Sequence, residues 1–477
     1  MKKSFLFLLS LFVLNTSIYS QRDREEIDPL FNSAFKKFEE KNYSGAYVDY
    51  SAYLVKKPTD GAAYYNRGLC AYELKDYKDG VTNFTRSIAN GRRKHDAFYS
   101  RGLCYYEMQK YELAVADFDT ALSIKPNYTK ALSYKGGALN ELKKYSEALS
   151  SLNKAVESDP SYETGYYFRA IAKYNLQDFN GSIEDCNKSL TIKFYYDTYF
   201  WRGLNYIALK KTKEAIADYD TVIKHSPKYS TAYYNRAIAY YDSKNYEKAM
   251  EDNTKAIELD PSKAGAYYNR ALTKYELKKY KEAEPDFNAA IDLKLNDAKH
   301  FTWRGANYYQ QGKYTLALSD LTTAIQKDKN SENAYYFRAL TKYNLADDQG
   351  SVDDCTEALK ISKTYDTYYQ RGISKYMLKD YNGAIEDFNE SLKLKTDYKL
   401  ALLERGITYY MLEKDNLSLA DLNKTIELDD KNKRAYLYRG KLKKYMNDVN
   451  GSCNDLKKAL QLGEDSAAEQ LQKNGCK

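Results

Sequence analysis

Apolar residues recur along this chain as paired helical stripes separated by short polar breaks. The stretch Phe98 to Pro126, FYSRGLCYYEMQKYELAVADFDTALSIKP, shows the unit. Up to Met108 its apolar positions follow helical spacing. Gln109 and Lys110 interrupt the pattern. From Tyr111 a second stripe runs through Ala114, Val115, Phe118, Ala121 and Leu122 at steps of three and four. Pro126 closes it, because proline cannot continue a helix. The spacing predicts two antiparallel helices joined by a short turn. The pattern returns about every 34 residues, so the chain is expected to be a stack of such pairs.

An arginine marks the frame. It stands at Arg67, Arg101, Arg169, Arg202, Arg236, Arg270, Arg304, Arg338, Arg371, Arg405 and Arg439, with Lys135 in the one gap. The next residue is Gly or Ala in all twelve copies, and a second small residue lies thirteen positions after the arginine, as at Gly80, Ala114, Ala148 and Ser182. Two helices approach closely only where neither presents bulk. Glycine inside a helix costs ~1 kcal/mol against alanine, so its recurrence points to a close crossing. Sixteen residues after the arginine there is usually an aspartate: Asp117, Asp185, Asp218, Asp252, Asp286, Asp320, Asp354, Asp387, Asp421 and Asp455. Arg67 faces Asn83 instead, and Lys135 faces Ser151. Both positions fall on the seam between paired helices. A guanidinium binds a carboxylate in a planar, two-pronged way. Arg101 with Asp117, Arg169 with Asp185, Arg236 with Asp252 and Arg270 with Asp286 are therefore expected to be structural ion pairs, not a row of anion sites.

These residues resemble the tetratricopeptide repeat family: small after the frame position, Tyr opening the second helix, then Ala, an aromatic, Ala and Pro. The resemblance covers residues 27–462. An atypical copy lies in front, with Tyr43, Ala46, Tyr50 and Pro58 in phase with Tyr77, Gly80 and Phe84. The resemblance implies an all-α, right-handed α-solenoid of about 13 helix pairs, in keeping with one continuous stack. A polar capping helix is expected from Glu464 to Asn474, within residues 463–477. In that family the arginine slot is commonly Leu, so the chain resembles an Arg–Asp variant of the repeat.

Residues two before, two after and five after each arginine share one stripe of the first helix. In the family such positions line the concave surface. Two before stand Tyr65, Tyr99, Tyr167, Tyr234, Tyr268, Tyr336 and Tyr369. Five after stand Tyr72, Tyr106, Tyr174, Tyr241, Tyr275, Tyr309, Tyr343, Tyr376 and Tyr410. Tyrosine offers a stacking ring with a hydroxyl that stays wet. Polypeptide is the family's commonest ligand. A glycan is the second reading, because exposed tyrosines stack on sugars, and a passive assembly platform is the third. The bland alternative has neighbouring first helices burying most of the stripe. Family members that grip acidic chaperone tails carry Lys and Asn here, so that activity is not expected. Copy four departs from the stripe with Ser133, Gly137 and Asn140 and sets Gly136 beside Gly137. That predicts a bend or soft point dividing the groove. Pro285 predicts a kink in its helix. Residues 165–186 resemble residues 334–355, an offset of 169 or five repeats, as if the stack grew by copying a block.

The ends and the charge refine the picture. Lys2 and Lys3, the uncharged run Phe5 to Leu14 and the polar stretch Asn15 to Ser20 form a secretory signal peptide over residues 1–20, leaving 21–26 as a short lead-in. The apolar run falls short of the ~20 residues of a membrane span. The expectation is export to the periplasm of a bacterium or beyond. The formal charge is +8, or 8 − 2 = +6 without Lys2 and Lys3, with both signs interleaved. No basic stripe for nucleic acid stands out. Cys70, Cys104, Cys186 and Cys355 take apolar slots of the repeat and are expected to be buried. Cys453 and Cys476 bracket the C-terminal segment, where a disulfide is possible. His95, His225 and His300 sit near repeat junctions without ligands at metal spacing. No catalysis, metal or cofactor is expected, only a non-enzymatic scaffold.

Overall fold

The computed structural model describes residues 28–476. The leader expected over 1–20 and the lead-in 21–26 lie outside them. Among the described residues every regular element is a helix. The first compact unit, ending at Pro227, holds α1 (Pro29–Glu39), α2 (Tyr43–Lys56), α3 (Gly61–Glu73), α4 (Tyr77–Ala89), α5 (His95–Glu107), α6 (Tyr111–Ile124), α7 (Thr129–Glu141), α8 (Tyr145–Ser158), α9 (Glu163–Asn175), α10 (Phe179–Ile192), α11 (Tyr196–Ala208) and α12 (Thr212–His225). The second unit holds α13 (Ser230–Asp242), α14 (Tyr246–Leu259), α15 (Ala264–Glu276), α16 (Tyr280–Asp292), α17 (Ala298–Gln310), α18 (Tyr314–Lys327), α19 (Glu332–Asn344), α20 (Asp348–Ile361), α21 (Tyr365–Met377), α22 (Tyr381–Leu394), α23 (Lys399–Met411), α24 (Asp415–Leu428), α25 (Lys433–Tyr445), α26 (Val449–Gln461) and α27 (Ser466–Lys473). Repeat one is α1 with α2, and so on to repeat thirteen, α25 with α26.

The turn inside each repeat is built the same way. Its central residue is left-handed in all thirteen, with φ between 55° and 72°; twelve are not glycine, and Gly312 is the exception. In repeat two, Lys75 N–H bonds back to Tyr72 O and Asp76 N–H to Ala71 O, both at 2.9 Å. This closes the first helix by satisfying its last carbonyls. Asp76 then caps the second helix, its carboxylate accepting from Asp79 N–H at 3.0 Å. One residue thus ends one helix while its neighbour starts the next.

Helices within a pair cross where the sequence keeps them small. A Cβ placed on Gly68 would lie 2.8 Å from the Phe84 ring, and one on Gly102 would lie 2.7 Å from Phe118. The facing slot is filled by Phe84, Phe118, Leu152, Tyr219, Phe287, Leu321 and Phe388, all buried. Cys186 and Cys355 take that same slot and are also buried. Within each unit, from α3 to α11 and from α13 to α25, every odd helix also touches the next odd helix. Even helices make no comparable contact with one another. The odd helices therefore form the more crowded of the two layers.

In repeat four α7 runs unbroken from Thr129 to Glu141. α7 buries nine of its thirteen residues: Ala131, Leu132, Ser133, Tyr134, Gly136, Gly137, Ala138, Leu139 and Asn140. A Cβ on Gly137 would meet Phe168 of α9 at 2.8 Å, and Asn140 Nδ2 donates to Phe168 O at 2.9 Å. The missing bulk that suggested a bend instead lets α9 close onto α7. α16 continues from Tyr280 to Asp292 with Pro285 inside it. At the far end α27 covers repeat thirteen. Ala467 is buried beside Leu437 and Leu456, Asn474 Nδ2 donates to Ser452 Oγ at 3.0 Å, and a disulfide joins Cys453 to Cys476.

Candidate functional site

The recurring arginines are fully engaged. In ten repeats Nε and Nη2 donate to the two oxygens of the aspartate sixteen residues on, at 2.7–2.9 Å and 2.6–2.9 Å. The third nitrogen, Nη1, reaches back to the preceding repeat. Arg101 donates to Thr85 Oγ1, Arg169 to Asn153 Oδ1, Arg304 to Asn288 Oδ1 and Arg405 to Asn389 Oδ1. These arginines therefore tie their own helix pairs together and also link two repeats. The aromatic residue three before adds a ring face, with the guanidinium carbon 5.0 Å from the centre of Tyr199 in repeat six and 5.8 Å from Phe98 in repeat three. In five repeats a lysine four after the arginine joins the same carboxylate: Lys173, Lys274, Lys342, Lys375 and Lys443, at 2.8–2.9 Å. The hydrogen bonds they donate to Asp117 and Asp218 hold Arg101 and Arg202 above the usual guanidinium range. Burial pushes the Asp218 carboxyl up against the pull of Arg202.

Repeat four lacks the ion pair inside the repeat, because Ser151 offers no carboxylate, but Lys135 finds an acid elsewhere. Lys135 Nζ lies 2.6 Å from Asp119 Oδ1, back across the repeat boundary, while Ser151 Oγ donates to Leu132 O at 2.9 Å. Asp119 occupies the slot that holds Thr or Asn in most other repeats, Ser51 in repeat one and Asp220 in repeat six. An ammonium is a compact point charge, unlike the arginine fork, which spans both seams. The sequence carried this signal, since the acid had moved from one side of the frame position to the other.

The tyrosine stripe divides in two. Of the residues two before the arginine, Tyr65, Tyr99, Tyr167 and Tyr268 are buried, so they offer a ligand no open ring face. Tyr234, Tyr336 and Tyr369 are half-buried. The set five after is half-buried throughout: Tyr72, Tyr106, Tyr174, Tyr241, Tyr275, Tyr309, Tyr343, Tyr376 and Tyr410. Most of these rings pack on the aromatic residue that opens the second helix, with centroids 5.3–5.9 Å apart. Several also touch the next first helix, Tyr174 on Trp201 and Tyr275 on Trp303, at 5.6 and 5.5 Å. Burial therefore claims much of the stripe and leaves a fixed row of ring edges along the odd layer. Burial also pushes the Tyr72 and Tyr106 hydroxyls well above the ordinary phenol value, so they remain neutral donors.

Family models described as tetratricopeptide repeat match residues 95–128, 130–162, 230–263 and 264–297, and one described as TPR repeat matches 203–244. The matches fall in the phase set by the arginines. The chain is a multi-repeat tetratricopeptide protein. Among solved structures of the same fold is the hetero-tetramer Cut9–Hcn1 of the APC/C, at 13% identity, covering 90% of this chain and 97% of that one with a TM-score of 0.50. Yeast Tom70 matches at 16% identity over 87% of this chain and 95% of its own, with a TM-score of 0.35. The C-terminal part of a tetratricopeptide protein from Cytophaga hutchinsonii matches at 20% identity over 50% and 99%, with a TM-score of 0.40. A search of curated proteins found no match.

Within the tetratricopeptide frame the remaining candidate groups are structural. Cys70, Cys104, Cys186 and Cys355 are free and buried, and burial pushes the Cys70 thiol up to about 12. His300 is buried at the start of α17, where Asp297 N–H donates to its Nδ1 at 3.2 Å. Among the described residues no three His, Cys, Asp or Glu side chains gather as a metal site, and no helix is long and apolar enough to cross a membrane. The sequence reading passed over one slot, six after the arginine, where Glu73, Glu107 and Glu141 end three successive first helices. Burial pushes the Glu107 carboxyl up to about 7 and raises Glu73 as well.

Proposed function

We propose that this tetratricopeptide protein is an exported, non-enzymatic scaffold that binds polypeptide along the odd-helix layer, on the tyrosines five after each arginine. Tetratricopeptide proteins are in general protein–protein interaction scaffolds, and that much follows from the family. The observation that carries the finer reading is the tyrosine at this position, Tyr72, Tyr106 and Tyr174 in the first unit and Tyr241 to Tyr410 in the second, each half-buried and most of them packed on a neighbouring ring. A fixed ring binds with little loss of side-chain freedom, which favours contact with an extended chain. The arginines contribute no ligand contact, because their charge is already neutralised. Export suits the disulfide between Cys453 and Cys476, since such bonds persist in oxidising compartments.

The test is a displayed peptide library panned on the purified chain and on a variant carrying Tyr241→Ser, Tyr275→Ser and Tyr376→Ser. Enrichment on the parent that vanishes on the variant is the expected result. Equal enrichment on both would sink the groove. A glycan array that bound the parent, with no peptide enriched, would move the assignment to sugars.

A further inference from the structure

Repeat four has also lost a ring, and nothing in the chain refills its place. Three residues before the frame position, repeats two to thirteen carry an aromatic residue in ten cases and leucine in two, Leu132 and Leu402. In all ten the frame guanidinium lies 5.0–5.8 Å from the centre of that ring. In repeat two a second cation, Arg86, lies over the same Tyr64 ring at 5.7 Å. Repeat four keeps both cations, with Lys135 in the slot of Arg67 and Lys154 in the slot of Arg86, but sets Leu132 in the slot of Tyr64. A cleft of about 460 Å³ stands there, lined from α6, α7 and α8. Leu122, Pro126, Leu132 and Leu139 form its apolar part, and Lys135 and Lys154 border it. Leu132 is 5% exposed and Tyr64 7%, so the leucine sits as deep as the ring it replaces. Lys135 is tied to Asp119, but the sibling arginines are tied to carboxylates too and still carry a ring. A cleft also opens beside Arg405 of repeat twelve, the other repeat with leucine in this slot, yet there Tyr409 lies over Arg405 at 5.9 Å. No ring lies over Lys135 or Lys154 among the described residues.

A cation gains from an aromatic face laid on it. A cavity of about 150 Å³ already admits benzene, so the cleft has room for a ring and the backbone that carries it. Ten sibling repeats show what fits this space, a single aromatic side chain. Proteins of this family take polypeptide partners. We propose that the cleft of repeat four is a docking pocket for one tyrosine or tryptophan side chain of a partner polypeptide, its ring seated on Leu132 and Leu139 with a face toward Lys135 and Lys154. The polar tip of either residue stays in water at the open side. The pocket is separate from the tyrosine row, no member of which lines it.

The test titrates the full chain, its leucine methyls carbon-13 labelled, with the N-acetyl amides of tryptophan, tyrosine and leucine. The two aromatic probes are expected to give saturable ring-current shifts at the Leu132 and Leu139 methyls and to bind about threefold tighter than the leucine probe. Leu132→Tyr supplies the ring from within the chain. It should abolish the shifts at Leu139 and raise the melting temperature. Lys154→Gln alters an exposed side chain and should weaken the aromatic probes about threefold while leaving the leucine probe unmoved. The variant with Tyr241→Ser, Tyr275→Ser and Tyr376→Ser should show the parent's shifts at Leu139, so the pocket and the tyrosine row can fail separately. Equal affinity of the aromatic and leucine probes at these methyls would overturn the proposal. So would shifts at Leu139 that persist in Leu132→Tyr, an aromatic preference that survives Lys154→Gln unchanged, or no shift at Leu132 and Leu139 with any probe.

Discussion

Repeat four carries Ser133, Gly137 and Asn140 along its inner stripe, where repeat nine, 169 residues later, carries Thr302, Ala306 and Tyr309. In each case the next first helix brings a phenylalanine just before its arginine, Phe168 on α9 and Phe337 on α19. In repeat four the ring enters the space above Gly137 and is 3% exposed. In repeat nine the ring stays half-buried and leans on Trp303 and Tyr309 at 6.2 and 6.3 Å. The seams differ as well. Arg304 grips Asp320 with two nitrogens and Asn288 with the third, whereas Lys135 holds only Asp119. Repeat nine has a forked ion pair across its seam beside its apolar core, and repeat four has packing alone there. Deleting bulk in repeat four tightened the structure, at the cost of leaving Ser133 Oγ and Asn140 Oδ1 buried without partners.

The largest test of this contrast is Asp320→Ala. It strands a guanidinium in the seam of repeat nine and should cost about 3–5 kcal/mol. Ser151→Ala, at the same slot of repeat four, removes one neutral hydrogen bond and should cost about 1 kcal/mol. Chemical denaturation of both variants checks the pair, and equal losses would mean that the aspartate is not the anchor of its repeat. Next comes Gly137→Ala. The added methyl must displace the Phe168 ring, so a loss of about 1–3 kcal/mol is expected, with faster amide exchange confined to α7 and α9. The opposite change, Ala306→Gly, meets no such wedge and should cost the helix penalty plus one buried methyl, about 2 kcal/mol together, without faster exchange in the next first helix. Exchange in α7 that ignored Gly137→Ala would mean that helix closure is not what protects repeat four.

A smaller contrast lies in the turns. Lys143 holds φ 61° in repeat four, where repeat nine has Gly312 at φ 72°. A side chain is strained in this region and glycine is not. Lys143→Gly should therefore raise stability by about 0.5–1 kcal/mol, and Gly312→Ala should lower it by a similar amount. Thermal melts of the two variants moving in the same direction would contradict the turn geometry.

Much of the frame was readable in advance because it rests on spacing. The arginine, the small residue after it and the aspartate sixteen on each recur in phase, and phase survives without knowing any contact. The thirteen pairs and the capping helix follow from the same phase. What spacing could not show was direction. The third nitrogen of most of these arginines reaches Thr or Asn in the repeat before, and nothing local distinguishes that polar residue from an exposed one. Gly136 and Gly137 show the same limit. Glycine lowers helix propensity, but its effect here is decided by Phe168, which lies 31 residues beyond Gly137 in the chain. Tyr99 and Tyr72 look alike in sequence, yet one is buried and the other half-exposed, because depth depends on how closely the next first helix approaches.

The smallest expected effect is also the one that separates pairing from stability. Lys135→Arg with Ser151→Asp would rebuild in repeat four the fork that repeat nine already has. Asp119 would remain to accept the third nitrogen, as Asn288 does for Arg304. A buried pair recovers in attraction roughly what it loses in desolvation, so the double variant should shift stability by less than about 1 kcal/mol. Lys135→Arg alone should be equally mild, since Asp119 can still take the charge. Ser151→Asp alone should cost several times more, because the new carboxylate would meet a lysine already committed to Asp119. A double-mutant cycle measures the coupling directly. A coupling near zero would show that the fork stabilises nothing by itself, while a favourable coupling with an unchanged total would mean that the ladder sets the register between repeats and that packing supplies the stability.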